Sequence, residues 1–369
     1  MPESIRVRAV VASPLVIPFT TRFRHASAER AETSSLWVEA TPHAGVVGFG
    51  ESCPRPYVTG ETLASAEAFV MRHTSAVCGE ITGLDALRAY AHTHVADIDA
   101  NPAAWCALEL ALLDLVAKTR REPIEATLAQ PPLAGPFRYS AVLGDAEPDV
   151  FAHQAERYLA MGFRDLKVKL SGDLARDRAK LAVLWATPDV RVRVDANNLW
   201  PDADTASAFL TALGALIVAV EEPLRPGDFA GLARVAALCG VPIVLDESVA
   251  RTSQLAALPG APANWIVNVR VSKMGGLLRS LDLVAAARTS GFGVVVGAQV
   301  GETSLLTRAA LTVAEAAGPA LLAQEGAFGT YLLTRDVCDP PLMFGPGGVL
   351  RVADHPMLTQ PGFGITGRP

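Results

Sequence analysis

Lysine, carboxylate and arginine side chains recur at matching places in the middle of this chain, each in or at the end of a short apolar run. The runs are Leu166-Lys167-Val168-Lys169-Leu170, Val190-Arg-Val-Arg-Val-Asp195, Leu216-Ile-Val-Ala-Val-Glu221, Pro242-Ile-Val-Leu-Asp246 and Ile266-Val-Asn-Val-Arg270. Asp195, Glu221 and Asp246 make an all-oxygen donor set suited to a hard cation such as Mg²⁺, which takes a few carboxylates and completes its octahedron with water and substrate. Any one of these acids could simply cap the helix that follows it. Three at nearly equal spacing point to a metal site, with Asn197 and Glu247 beside them to orient the ligands or a neighbouring lysine. In Lys167-x-Lys169 the two lysines share one face of a strand, about 7 Å apart at roughly 3.3 Å per residue. Each ammonium disfavours the other's charge and partial burial acts in the same direction. At least one lysine is therefore expected below its solution pKa, where it can act as a base near neutral pH. The plainer alternative is an amphipathic strand carrying two solvated lysines.

The elements that position these residues follow from the spacing. Successive charged ends lie 24 to 26 residues apart, the length of a β/α unit with short loops, because parallel strands need a crossover of a dozen or more residues. Short β-branched runs alternating with helix-like segments predict a (β/α) barrel, and the charged ends then gather at its C-terminal mouth. The 369 residues suffice for a barrel plus a smaller domain, and 50% hydrophobic against 19% charged residues suits a large buried core. Ahead of the barrel, residues 5 to 19 and 35 to 50 read as strands, and Phe19 to Arg30 as a polar, basic loop. Glu61 to Lys118 reads as helical, with Pro102 opening a helix that is apolar nearly all round and hence buried. Gln130-Pro-Pro-Leu-Ala-Gly-Pro136 marks a domain boundary. The expected organisation is residues 1–130 as an α+β capping domain and 137–330 as the barrel, whose first strand is Phe137 to Leu143. Residues 331–369 form a turn-rich segment returning to the first domain.

The net charge of −6 gives no electrostatic reason to expect nucleic acid. Five scattered cysteines without a C-x-x-C pair read as reduced thiols, and no signal peptide or apolar span is visible. The expectation is a cytoplasmic protein with no membrane partner.

The ordered set of motifs resembles the enolase superfamily, in its mandelate racemase/muconate lactonizing branch. It comprises Lys167-x-Lys169, Asp195-x-Asn197, Glu221-Glu-Pro223, Asp246-Glu-Ser248, Asn268-x-Arg270-x-x-Lys273-x-Gly-Gly276 and Gly301-Glu302-Thr-Ser304. Gly48-Phe-Gly-Glu51 and Thr59-Gly-Glu61 are similar to capping-domain motifs. The resemblance implies an α+β cap on a (β/α)7β TIM-like barrel, with one Mg²⁺ per chain (or Mn²⁺) on Asp195, Glu221 and Asp246. It implies a base that removes the proton α to the carboxylate of a small substrate while the metal stabilises the enediolate, leading to isomerisation, cycloisomerisation or dehydration. It makes Lys169 the acid/base, Lys167 the group that lowers its pKa and Glu302 a hydrogen-bonding partner of the substrate, and it implies a homo-oligomer.

The chain departs from the branch at one place. Where the sixth strand normally carries a second acid/base lysine, Arg270 stands, and only Lys273 of the Lys-x-x-Lys pattern remains. Arginine stays protonated, so it is a poor base but a good partner for a carboxylate. Alternation puts Arg270 in phase with Asn268, and Lys273 out of phase unless the strand ends first. One-base chemistry on Lys169 is favoured over two-base racemisation. The paired aspartates that hold an α-ammonium in the family's dipeptide epimerases are absent where Ala323-Gln324-Glu325-Gly326 stands, which counts against dipeptides. Arg22, Arg24, His25, Arg30 and Tyr57 are candidate substrate contacts in the cap, and their basic character suits an anionic or polar substrate. Gly297-Ala-Gln-Val-Gly301 lacks the lysine and spacing of a phosphate loop. A barrel that binds or scaffolds without catalysis is the alternative from another class; the complete carboxylate set and lysine pair argue against it.

Overall fold

A computed structural model describes residues 5–25, 28–214 and 216–367. The chain begins with β1 (Val7–Leu15), β2 (Pro18–His25), β3 (Ala28–Glu32), β4 (Ser35–Pro42) and β5 (Gly48–Ser52). Helices α1 (Leu63–Glu80), α2 (Leu84–Thr93), α3 (Val95–Ala100), α4 (Pro102–Arg120) and α5 (Ile124–Thr127) follow. β1, β4 and β5 form an antiparallel sheet. It lies on α4, in which every residue from Ala103 to Ala117 is buried. Gly50 permits that closeness: a Cβ there would fall 2.0 Å from the carbonyl oxygen of Ala107. The stretch expected as a loop is instead the hairpin β2–β3. Its alternation is hidden because few apolar side chains mark a face.

The second part opens with β6 (Phe137–Arg138), then β7 (Ala141–Leu143), α6 (Pro148–Ala160), β8 (Asp165–Lys169), α7 (Leu174–Trp185), β9 (Arg191–Asp195), α8 (Ala203–Leu213) and β10 (Ile217–Glu221). Next come α9 (Phe229–Cys239), β11 (Ile243–Leu245), β12 (Trp265–Val269), α10 (Val271–Met274), α11 (Leu277–Thr289), β13 (Gly293–Val296), α12 (Ser304–Ala317), β14 (Leu321–Gln324) and β15 (Val349–Leu350). Strands β7 to β14 form an eight-stranded sheet in sequence order. Ser140 N donates to Gln324 O at 2.7 Å, joining its two edges. This is the TIM-like barrel with an N-terminal cap. Two boundaries differ from the expectation. Phe137–Arg138 pairs antiparallel with β15 rather than entering the barrel, because Tyr139 N turns to Gly348 O before Ser140 reaches β14. The β11–β12 crossover holds only two 3₁₀ turns, Thr252–Ala257 and Pro262–Asn264. Pro259, Gly260 and Pro262 leave no room there for an α-helix.

Buried carboxylates of the first part bind backbone N–H groups where the two parts meet. Glu51 accepts from Thr303 N at 3.1 Å, and Glu109 from Leu278 N at 3.0 Å at the start of α11. Glu61, in the other cap motif, accepts from Ala103 N and Ala104 N at the start of α4. The C-terminal segment returns to α4: Phe363 N donates to Asp114 at 2.8 Å and Lys118 Nζ to Ile365 O at 2.6 Å. Among the described residues no helix is long and apolar enough to cross a membrane.

Candidate active site

The parallel register sets the chemistry side by side. Lys169 pairs with Asp195 and Asp195 with Glu221 on successive strands, and Asp246 follows directly after β11. Asp195, Glu221 and Asp246 are only 2, 1 and 2% exposed, and burial of three acids so close together demands positive charge nearby. Glu221 shows the strain: burial and the charges of Asp195, Glu325 and Asp246 push its carboxyl above its usual range against the pull of Lys167.

The two lysines of β8 sit in different surroundings. Lys167 is buried, with its ammonium 3.1 Å from Glu221, 2.9 Å from Glu325 and 3.7 Å from Asp195. Burial alone would lower its pKa, but these carboxylates outweigh burial and hold it above its ordinary value. Lys167 is therefore not the lysine tuned below its solution value, because the nearby negative charge dominates over burial. Lys169 lies at the mouth, donating to Asn197 Oδ1 at 2.6 Å and Asp195 Oδ2 at 3.1 Å.

β12 ends at Val269, so strand alternation stops before Lys273. Lys273 Nζ is enclosed by Asp246 Oδ1 at 2.9 Å and the carbonyls of Asp246, Asn268 and Val249 at 2.5, 2.9 and 3.3 Å. Arg270 faces the mouth, its Nη2 bonded to Asp246 Oδ2 and 3.8 Å from Glu221. Burial disfavours the charge on Asp246, yet Arg270 and Lys273 hold its carboxyl below the usual range. Gly297 makes room for this pair of strand ends: a Cβ there would fall 2.2 Å from Asn268 Oδ1 and 3.1 Å from Arg270 Cγ.

Of the flanking acids, Glu222 braces the loop of Asp246, accepting from Asp246 N at 2.7 Å, Ser248 N at 2.8 Å and Ser248 Oγ at 2.7 Å. Glu247 is largely buried and its Oε2 lacks a hydrogen-bond partner. Glu302 accepts from Gln299 N at 2.7 Å. Burial pushes its carboxyl up to about 7, against that hydrogen bond and the charges of Arg270 and Arg55. At the cap edge the guanidinium of Arg30 lies 5.9 Å from the ring centre of Tyr57. The side chains of Arg22, Arg24 and His25 fall outside the described part of the structure.

Arg193 and Glu325 were not singled out by sequence reasoning. Arg193 Nη1 binds Glu325 Oε1 at 3.0 Å, and its Nη2 binds Ser140 Oγ at 2.7 Å and Asp165 at 3.3 Å. The available signal was Arg193's position two residues before Asp195, on the same inward face.

Among the described residues no three acidic, histidine or cysteine side chains close on one point as a bound ion requires, since Arg270 lies against Asp246 and near Glu221. The donor chemistry nevertheless fits a hard cation: three buried carboxylates stand at adjoining strand ends. Asn268, 3.1 Å from Glu221, also keeps its Oδ1 without a partner.

Residues 150–369 match the family described as enolase C-terminal domain-like. The chain is 32% identical to the L-Lys-D/L-Arg epimerase of Methylococcus capsulatus, over 92% of this chain and 95% of that one. The substrate-liganded L-Ala-D/L-Glu epimerase of Bacillus subtilis superposes with a TM-score of 0.84 at 25% identity, covering 99% of each chain. The dipeptide epimerase of Enterococcus faecalis, in complex with Mg and L-Leu-L-Tyr, superposes with a TM-score of 0.80 at 24% identity, covering 99% of this chain and all of that one.

Proposed function

The chain belongs to the mandelate racemase/muconate lactonizing branch of the enolase superfamily, and from that premise we propose that it is a Mg²⁺-dependent isomerase. In this reading it removes the proton α to the carboxylate of a small substrate from one face, with Lys169 as the base. The observation that carries it is the unequal placing of the cations: Lys169 is open at the mouth, Lys167 and Lys273 are enclosed by oxygens, and the opposite side holds Arg270. Asp195, Glu221 and Asp246 would hold the metal. When bound, Mg²⁺ supplies the positive charge that makes the hydrogen α to a carboxylate acidic.

Lys169 Nζ takes the proton, oriented by Asn197 Oδ1 and Asp195 Oδ2, and gives it back on the same face, the course of a one-base cycloisomerisation. Lys167 remains a fixed cation among the carboxylates. Arg270 keeps its proton and balances negative charge developing on the substrate. Lys273 acts only by holding Asp246 and the end of β12. Glu302, with a carboxyl near 7, can donate a hydrogen bond to the substrate.

Two-faced epimerisation is the second reading, supported by the name of the Methylococcus relative; it requires a proton donor on the side of Arg270. The test is deuterium incorporation at the α-carbon in D₂O, with Mg²⁺ and pooled carboxylates: acid sugars, hydroxy acids and N-acyl amino acids. Exchange that is lost at least 10²-fold in Lys169→Ala supports the reading, general-base groups contributing about that much. Exchange unchanged in that variant contradicts it.

A further inference from the structure

Helix α7 carries a buried cation that the proton transfer does not use. Lys180 is 1% exposed, and its ammonium, which has three N–H donors, is enclosed by oxygens from three residues. Nζ donates to Asp145 Oδ1 on the loop after β7 at 3.1 Å and to the backbone carbonyl of Lys169 at 2.8 Å, and it lies 2.7 Å from Asp177 Oδ1, one helical turn back. The carbonyl it holds belongs to the residue proposed as the base.

The backbone that follows is held residue by residue. Leu170 N donates to Asp195 O at 2.9 Å. Ser171 N and Gly172 N donate to the carboxylate of Asp177 at 3.0 and 3.1 Å, and Ser171 Oγ adds a bond at 2.8 Å. Asp177 and Lys180 thus reach back from α7 to the end of the strand that feeds it. A buried ion pair is a poor stabiliser on its own account, since apolar side chains of similar volume often serve as well. What this pair supplies is placement. The same device stands across the mouth, where the enclosed Lys273 Nζ holds the carbonyl of Asp246 at 2.5 Å.

We propose that Lys180 is a positioning residue for the α-proton transfer: bonded to the carbonyl of Lys169, it fixes the main chain from which the base extends. A base must come within hydrogen-bond reach of the proton it takes, and a misplacement of about 1 Å can cost about 10²-fold in rate. Asn197 and Asp195 orient the free end of Lys169; Lys180 sets its root. This rests on the reading of Lys169 as the base.

The test uses the Mg²⁺-loaded enzyme in D₂O and, as probe, the acid sugar, hydroxy acid or N-acyl amino acid whose α-proton exchanges fastest. Lys180→Met alone leaves Asp177 buried and unpaired, which threatens folding. The deciding variant therefore combines Lys180→Met with Asp177→Asn, removing both charges while keeping an oxygen at position 177 for the backbone of Ser171 and Gly172. Its kcat should fall at least about tenfold with KM unmoved, the signature of a displaced base. The control is the matched pair in the cap, where Lys118 lies 2.6 Å from Asp114 and bonds Ile365 O. Lys118→Met with Asp114→Asn should lower the melting temperature and leave kcat of the folded protein unchanged. A lower melting temperature with wild-type kcat in the Lys180 double variant would mark its pair as scaffolding and overturn the proposal, as would a loss carried by KM alone. An equal fall of kcat in the Lys118 double variant would overturn it too, because any loss of stability would then slow the chemistry. Exchange lost in Lys169→Ala but intact in the Lys180 double variant overturns the positioning role and leaves the base standing. Exchange that survives Lys169→Ala, or that is absent with every probe, removes both.

Discussion

The ammonium of Lys167 lies 2.9 Å from one carboxylate oxygen of Glu325, whose other oxygen is held by Arg193 at 3.0 Å. That relationship divides the labour of β8. Lys167 is 4% exposed and serves as part of the charge lattice, whereas Lys169, 16% exposed, is the more accessible of the two and the one proposed as the base.

Because Glu325 is the common partner of two buried cations, Glu325→Ala should destabilise the protein by about 3–5 kcal/mol, the usual cost of removing one side of a buried pair. Adding Arg193→Met should recover part of the loss by removing one of the orphaned charges. Urea unfolding of the wild type, Glu325→Ala, Arg193→Met and the double variant checks this. A single-variant loss below about 0.5 kcal/mol would contradict the lattice.

If Asp246 is a metal ligand as proposed, Arg270 and a divalent cation should compete for it, since the guanidinium already bonds to Asp246 Oδ2. Arg270→Met should therefore bind Mg²⁺ more tightly, by roughly tenfold for about 1.4 kcal/mol of relieved competition. Titration calorimetry reads this directly, without a substrate. Weaker binding in the variant would show that Arg270 supports the ion rather than opposing it.

Glu51 gives the stability a pH dependence. Burial pushes its carboxyl from 4.5 up to about 8, against hydrogen bonds from Thr303. The folded protein therefore holds this proton more tightly than the unfolded chain. The contribution is complete below about pH 4.5 and is lost as pH rises through about 8. Between pH 5.5 and 8.5 wild-type stability should fall by on the order of 2–4 kcal/mol from this group. Glu51→Gln, which stays neutral and can still bond Thr303, should show a flatter profile in chemical unfolding. Identical profiles for the two proteins would contradict the assignment.

Glu302 should set an alkaline limb of activity. With its carboxyl near 7, the form able to donate a hydrogen bond declines above neutrality. In Glu302→Gln, which keeps a donor at every pH, the limb near pH 7 should disappear from the kcat/KM profile, with a moderate loss in its maximum. A limb that persists there belongs to another group.

The barrel and its charged mouth were legible because two periodicities write them into the sequence. The β/α repeat spaces the strand ends, and alternation along each strand puts Lys167 with Lys169 and Asn268 with Arg270. The ion pairing was not legible. Arg193 and Glu325 are 132 residues apart, and nothing local says that they meet; without them Lys167 reads as a lysine troubled by its neighbour rather than one matched by carboxylates. The β2–β3 hairpin was missed because a strand with few apolar residues on either face carries no period-two signal. The helix-free crossover before β12 could have been read from Pro259, Gly260 and Pro262.

Proton transfer is proposed to take place on one face, from Lys169, with Arg270 opposite. Its most direct measurement is the configuration of the recovered substrate, followed by NMR and chiral chromatography while deuterium enters at the α-carbon in D₂O. Deuterium should enter with retained configuration. Inversion at a rate comparable to exchange would contradict it, and would mean that a second proton donor works on the side of Arg270.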